Sequence, residues 1–176
     1  IRDIGVTGVQ TCALPICVGL LQDANWWGKT KEMLLLKDVL EKMQHVTFYW
    51  AGDGPYRERI IKELGRYKNF KWLGRLEYPN KVREYLNGVD VYALITGMDL
   101  APLTLKEAQL MEKPVVATDV GGVREMMSDK KTGFLIKEGD TQWPYEPAEG
   151  SQALFYYQFH VLQNLQVYKR YPNSIS

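Results

Sequence analysis

Asp99-Leu-Ala-Pro-Leu-Thr-Leu-Lys-Glu107 and, a few residues on, Lys113-Pro-Val-Val-Ala-Thr-Asp-Val-Gly-Gly122 carry most of what this chain says about its architecture. The first segment sets two carboxylates eight positions apart across a loop-to-helix junction. Pro102 suits the first turn of a helix, where its missing N–H would have no intrahelical partner. Leu105, Ala108, Gln109 and Leu110 continue with helix-forming residues, which puts Glu107 within the first two turns and Asp99 just before them. Pro114–Ala117 is a short apolar run that predicts a buried strand, and Asp119-Val-Gly-Gly122 predicts a glycine turn opening a helix over Val123–Met127. Carboxylate loop, helix N-terminus, buried strand and glycine turn together describe the rim of an open α/β sheet. Such rims bind phosphorylated small molecules.

Upstream, the same alternation repeats. Cys17–Leu21 is a short apolar run, and Lys29–Met43 carries Met33, Leu36, Leu40 and Met43 at helical spacing. Val46–Ala51 is β-branched and aromatic, as a strand covered on both faces should be. Pro55–Leu64 and Pro79–Leu86 predict helices, while Phe70–Leu73, Val89–Ile95 and Gly133–Ile136 predict strands. Strands separated by helices imply parallel pairing. Residues 17–140 are therefore expected to form one Rossmann-like α/β domain, a parallel sheet with helices on both faces.

Bulk properties remove several function classes. Lys+Arg 22 against Asp+Glu 21 leaves a net charge of +1, so no global field draws the chain to nucleic acid or anionic lipid. No apolar run approaches the roughly 20 residues of a membrane span, and no secretory-signal pattern is visible. The two cysteines, Cys12 and Cys17, are too few for a zinc site or a disulfide framework. The expected location is cytoplasmic, or at the cytoplasmic face of the membrane. His45 and His160 receive no catalytic role.

The Asp99–Gly122 stretch resembles the donor-binding half of the retaining nucleotide-sugar glycosyltransferases of family 4, which have the two-domain GT-B fold. That family carries a Glu-x7-Glu pair, typically within E-G-F-G-x-x-x-x-E, then a G-K-P-V-V-A-T-D-V-G-G-like segment. Asp99 stands at the first glutamate and Glu107 at the second. Glu112-Lys-Pro-Val-Val-Ala-Thr-Asp-Val-Gly-Gly-Val-Arg-Glu125 follows the later segment almost residue for residue. The resemblance implies transfer of a sugar from a nucleotide-diphosphate donor with retention of configuration, without a metal or other cofactor. The acceptor would be an unidentified glycan, lipid or small molecule. The family's N-terminal acceptor domain has no counterpart in this chain, so the chain alone is expected to be inactive.

Residue roles follow from the same resemblance. Glu107 would accept hydrogen bonds from the ribose hydroxyls, and Asp99 would face the donor sugar, where the family's carboxylate is discussed as stabilising positive charge at the anomeric carbon. Aspartate is one methylene shorter than glutamate, which draws the carboxylate back by roughly 1.5 Å. Lys29, in Gly28-Lys29-Thr30-Lys31, stands at the family's phosphate-binding lysine. The family's arginine after the first strand is absent, because Leu20 follows Gly19. Lys31 could compensate or could be a solvated surface lysine. Pro102 replaces a family glycine and removes one backbone donor, leaving the N–H groups of Leu103 and Thr104 for phosphate. Gly52, in Gly52-Asp-Gly-Pro55, is expected to shape a tight turn near the ligand. The strand end Trp72-Leu73-Gly74-Arg75 lies where relatives offer backbone groups to the nucleobase, and Trp26 and Trp27 could meet a ligand or close a core edge.

Both ends depart from the pattern. Residues 1–16 show no periodicity and resemble a translated sequencing-adapter segment, with a genuine N-terminal strand as the alternative. Residues 141–176 read as a divergent or truncated C-terminal tail, in which 151–176 contain no Asp or Glu and are crowded with Gln, Tyr and Phe. Two other functions stay open: a non-catalytic nucleotide-binding module, favoured by Asp99 and the absent arginine, and a sugar-nucleotide epimerase of the same fold. The epimerase reading does not predict the Val-Ala-Thr-Asp-Val-Gly-Gly context.

Overall fold

The computed structural model describes residues 16–127 and 133–139. Six strands form one sheet in the order β3-β2-β1-β4-β5-β6. They are β1 (Ile16–Leu21), β2 (Val46–Ala51), β3 (Phe70–Gly74), β4 (Val91–Leu94), β5 (Val115–Thr118) and β6 (Gly133–Ile136). All neighbours run parallel, with β1 and β2 in register from Ile16 opposite Val46 to Leu21 opposite Ala51. The connecting helices are α1 (Trp27–Thr30), α2 (Leu36–Lys42), α3 (Arg57–Leu64), α4 (Asn80–Gly88), α5 (Leu103–Leu110) and α6 (Val123–Met126). The expected parallel α/β architecture is what the chain adopts.

Burial explains why these runs become central strands. All four residues of β4 and all four of β5 are buried, so neither strand can alternate with polar residues. On one face Tyr92, Leu94, Val115 and Ala117 join Val82, Tyr85 and Leu86 of α4 and Leu105 and Ala108 of α5 in a single apolar cluster. By the two-residue period of a strand, Phe48 and Trp50 point away from Tyr49 and Ala51, toward the other face. Trp50 is fully buried there, and its indole N–H donates to the Gln22 carbonyl at 2.9 Å.

Three details differ from the sequence expectation. The helix expected over Lys29–Met43 is broken: α1 ends at Thr30, a 3-10 turn covers Lys31–Leu35, and α2 follows. Met33, Leu36 and Val39 are all fully buried at a spacing of three. A 3-10 turn stacks residues i and i+3, so the tighter winding sends Met33 and Leu36 to the same core. Val39 and the expected Leu40, both fully buried, continue that stripe; Met43 instead ends α2 as its C-cap. Second, Pro102 is the N-cap of α5, with extended ψ of 111°, one position before the first turn. Third, β1 starts at Ile16, the last residue of the N-terminal segment read as departing from the pattern, while β4 is shorter than Val89–Ile95. The rest of that N-terminal segment and residues 141–176 lie outside the described residues.

Candidate functional site

The chain leaves β1 toward β2 and β3, then returns to place β4 on the other side of β1. The connections after β1 and β4 therefore diverge, and in open α/β sheets the ligand crevice lies at such a switch point, outside the carboxyl ends of the two strands. The residues closing its floor are held tightly. Gln22, just after β1, donates from Nε2 to the Ile95 carbonyl at 2.9 Å. Gly97 donates its N–H to the Lys29 carbonyl at 3.0 Å, and a Cβ at Gly97 would lie 2.4 Å from the Gly28 oxygen. Only a residue without a side chain lets α1 and the segment after β4 approach so closely.

Across this contact Lys29 Nζ donates to Asp99 Oδ2 in an ion pair. Seventy positions separate the two residues in sequence. The Asp99 side chain is 13% exposed and that of Lys29 31%. The expected phosphate cation and the expected sugar-facing carboxylate thus share one site. The backbone of Asp99 is fixed from the other side: its carbonyl accepts the Gly122 N–H at 3.0 Å. The carboxylate loop and the glycine turn of the diagnostic stretch are therefore direct neighbours.

α5 starts beside this loop. The first N–H groups of a helix have no intrahelical acceptor, so those of Leu103 and Thr104 remain at the start of α5 as donors to an anion. The Leu103 side chain itself is 71% exposed and contributes nothing to the crevice floor. Thr104 is engaged by its side chain, since the Tyr92 hydroxyl donates to Thr104 Oγ1 at 2.7 Å. Glu107 is half-buried on the next turn, and its carboxylate has no hydrogen-bond or ion-pair partner among the described residues.

Other expected residues fall elsewhere. Lys31 points its ammonium at Glu32, 3.8 Å away. Leu20, at the position of that arginine, is fully buried in the core. Gly52 donates its N–H to the Gly74 carbonyl and accepts from the Trp72 indole, each at 2.9 Å. Both of its backbone groups serve the end of β2, so its place in the turn is architectural. Arg75 pairs with Asp23 at 3.4 Å beside a cavity of about 590 Å³ lined by Asp53, Gly54, Pro55, Arg57, Glu58 and Arg75. There the Gly54 N–H, helped by Arg57, holds the Asp53 carboxyl below the usual carboxylate range. Asp119 receives two bonds from Arg124, which fix the turn before Gly121. Trp27 closes an edge, with the Arg59 guanidinium 3.6 Å above its ring, whereas Trp26 is 52% exposed.

Sequence reading missed the supporting layer. The Thr118 hydroxyl donates to the Thr96 carbonyl at 2.6 Å and accepts the Thr96 N–H at 3.0 Å. The Thr96 hydroxyl in turn donates to the Met98 carbonyl at 2.9 Å, tying β5 to the loop before Asp99. A threonine closing each of two apolar runs, Thr96 just beyond β4 and Thr118 at the end of β5, was the available signal. Tyr92 is the other omission: fully buried in β4, it looks like ordinary core. Burial pushes its phenol far above the usual value, the Thr104 bond opposing this and the Asp99 and Glu107 charges adding to it.

Tyr85 is raised the same way, burial first. A phenol whose folded pKa is raised contributes stability that is complete below the unfolded value of about 10 and lost as pH rises beyond it. The thermal midpoint is thus expected to fall above about pH 10, and less steeply in Tyr92→Phe. That variant should also be about 1 kcal/mol less stable at neutral pH from loss of the Thr104 bond. Equal slopes in an alkaline melting series would rule out this role for Tyr92.

The model of the family described as "Glycosyl transferases group 1" matches residues 16–145, most of the chain and all the elements above. This chain belongs to the group 1 glycosyl transferases. A sulfoquinovosyl transferase of Arabidopsis thaliana is 31% identical over 118 residues, which is 65% of this chain and 23% of the relative. A trehalose synthase of Thermococcus litoralis is 29% identical over 134 residues, 70% of this chain and 32% of the relative. The chain therefore spans a quarter to a third of the curated relatives it matches. Among solved structures, HepE of Anabaena in complex with UDP superposes with a TM-score of 0.60 at 24% identity, covering 73% of this chain and 36% of HepE. The C-terminal domain of a group 1 family protein from Francisella tularensis gives a TM-score of 0.57 at 20% identity, over 72% of this chain and 70% of that domain. The group 1 fold seen here is one Rossmann-like half of a GT-B architecture. Among the described residues no helix is long and apolar enough to cross a membrane, and no cluster of His, Cys, Asp or Glu is suited to hold a metal ion.

Proposed function

We propose that residues 17–140 are the donor-binding domain of a retaining glycosyltransferase that uses a nucleotide-diphosphate sugar. The observation that carries this reading is the convergence of Lys29, Asp99 and the start of α5 at the β1–β4 crevice, with Glu107 one turn further along. The Anabaena neighbour was solved with UDP and with UDP-glucose, which supports a nucleoside diphosphate as the ligand. In this reading Glu107 binds the ribose, because two vicinal hydroxyls need an ionised bidentate acceptor. Lys29 and the N–H groups of Leu103 and Thr104 meet the charge that grows on the departing diphosphate, a role that needs no metal. Asp99 faces the anomeric carbon. The acceptor, a glycan, lipid or small molecule, would be held by a second domain. The chain alone would bind donor without transferring sugar.

The reading is tested by calorimetry with UDP, GDP and ADP. Glu107→Gln is expected to weaken the preferred diphosphate by about 1–3 kcal/mol, the range for losing a charged hydrogen bond. Lys29→Ala should weaken the diphosphate far more than the corresponding nucleoside. Equal losses for both ligands would show that Lys29 does not face phosphate. A second reading, a nucleotide-binding module without transfer chemistry, is favoured by burial of Leu20 where the family has its arginine. Sugar transfer by a two-domain form of the protein would exclude it.

A further inference from the structure

The ammonium that a diphosphate would need is already bonded to the carboxylate that the sugar would need. Neither backbone is free to separate them. The Lys29 carbonyl is bonded to the Gly97 N–H at 3.0 Å, and the Asp99 carbonyl to the Gly122 N–H at 3.0 Å. Separation must therefore come from the side chains, and they are unequal. Asp99 is short and mostly buried, whereas Lys29 has a flexible four-carbon stem and is 31% exposed. Glu32, a buried carboxylate three positions along the chain from Lys29, is engaged elsewhere, by the Gly139 N–H at 3.2 Å and by Lys31 at 3.8 Å.

We propose that Lys29 and Asp99 form a latch that only a diphosphate opens. Bound phosphate draws the Lys29 ammonium away from Asp99, and the carboxylate is released to face the sugar at the moment the leaving group is in place. A sugar without a diphosphate leaves the latch closed and finds Asp99 occupied. This inference rests on the donor-site reading above and adds to it a reason for the pairing of two residues with separate tasks. Opening the latch reduces apparent donor affinity, since a ligand that needs a minority arrangement binds more weakly by the fraction of protein in that arrangement.

The test is a double-mutant cycle on the whole chain, read by calorimetric titration with UDP, GDP and ADP. Asp99→Asn frees the ammonium and is expected to tighten the preferred diphosphate about three- to tenfold, the scale of a partly screened ion pair. In the Lys29→Ala background the same substitution should change affinity little, because no ammonium remains to be freed. Thermal melting of all four proteins checks that each is folded; Asp99→Ala replaces Asp99→Asn if the amide disturbs the loop. Tightening of the same size in both backgrounds would mean simple repulsion between Asp99 and phosphate, and would overturn the latch. So would unchanged affinity in Asp99→Asn when Glu107→Gln still weakens binding. If none of the three diphosphates binds any of the four proteins, the donor-site reading falls and takes the latch with it.

Discussion

Gly122→Ala is expected to lower the stability of the domain by about 2–4 kcal/mol, a fall of roughly 5–15 °C in thermal midpoint for a domain of this size. A Cβ at Gly122 would stand 1.9 Å from the Leu100 carbonyl oxygen and 3.0 Å from its carbon. The obstacle is backbone, so no rotamer change relieves it. Gly122 has φ −87° and ψ 3°, which alanine adopts without strain, and the whole effect is therefore steric. Relief requires the Asp99–Leu100 segment to move by an ångström or more, which also breaks the bond from the Gly122 N–H to the Asp99 carbonyl. Diphosphate affinity should fall together with stability, because that segment positions Asp99. Gly139→Ala is the control: its φ of 75° costs the substituted residue about 1 kcal/mol, but nothing stands within 4 Å of the new methyl. Differential scanning calorimetry decides the matter, and equal midpoints for the two variants would show that the glycine turn yields freely.

The contrast between Gly122 and Lys29 marks what a sequence displays and what it hides. The strands were legible because burial on both faces forces unbroken apolar runs, and Val46–Ala51 or Val115–Thr118 can hardly be anything else. The glycine turn was legible as a turn, but not the reason for two glycines, which lies in a carbonyl more than twenty positions upstream. The break after Thr30 was hidden because a spacing of three and one of three or four both place Met33 and Leu36 on one side of a helix. The identities of Lys29, Asp99 and Glu107 as candidates came from motif resemblance. Their juxtaposition depends on β1 and β4 being neighbours, a fact of topology that no local pattern contains. Tyr92 was hidden for the opposite reason. An aromatic residue in an apolar strand reads as core, and only the fold reveals that its hydroxyl meets Thr104 at the start of α5.

In a form of the enzyme that includes an acceptor domain, Asp99→Asn is expected to reduce turnover by about 10²–10³, the usual loss when one preorganised charge at the reacting centre is removed. Asp99 is held by its own backbone bond to Gly122, and only its side-chain partner is exchangeable. Once phosphate has taken Lys29, the carboxylate stands unpaired on a side chain only 13% exposed, where its field acts through few intervening waters. Asparagine keeps the shape and the hydrogen-bonding reach but loses the negative charge, so the variant isolates electrostatic stabilisation of the anomeric centre from positioning. Because the same substitution opens the latch, donor affinity should rise while turnover falls. A residue that only positions the donor would lose both together, and a residue that only binds phosphate would lose affinity first. Steady-state kinetics with a nucleotide-sugar donor, paired with diphosphate titrations of the same preparations, reads both quantities. Wild-type turnover in Asp99→Asn would remove Asp99 from the chemistry and leave the second glutamate position, Glu107, as the only functional carboxylate of the pair.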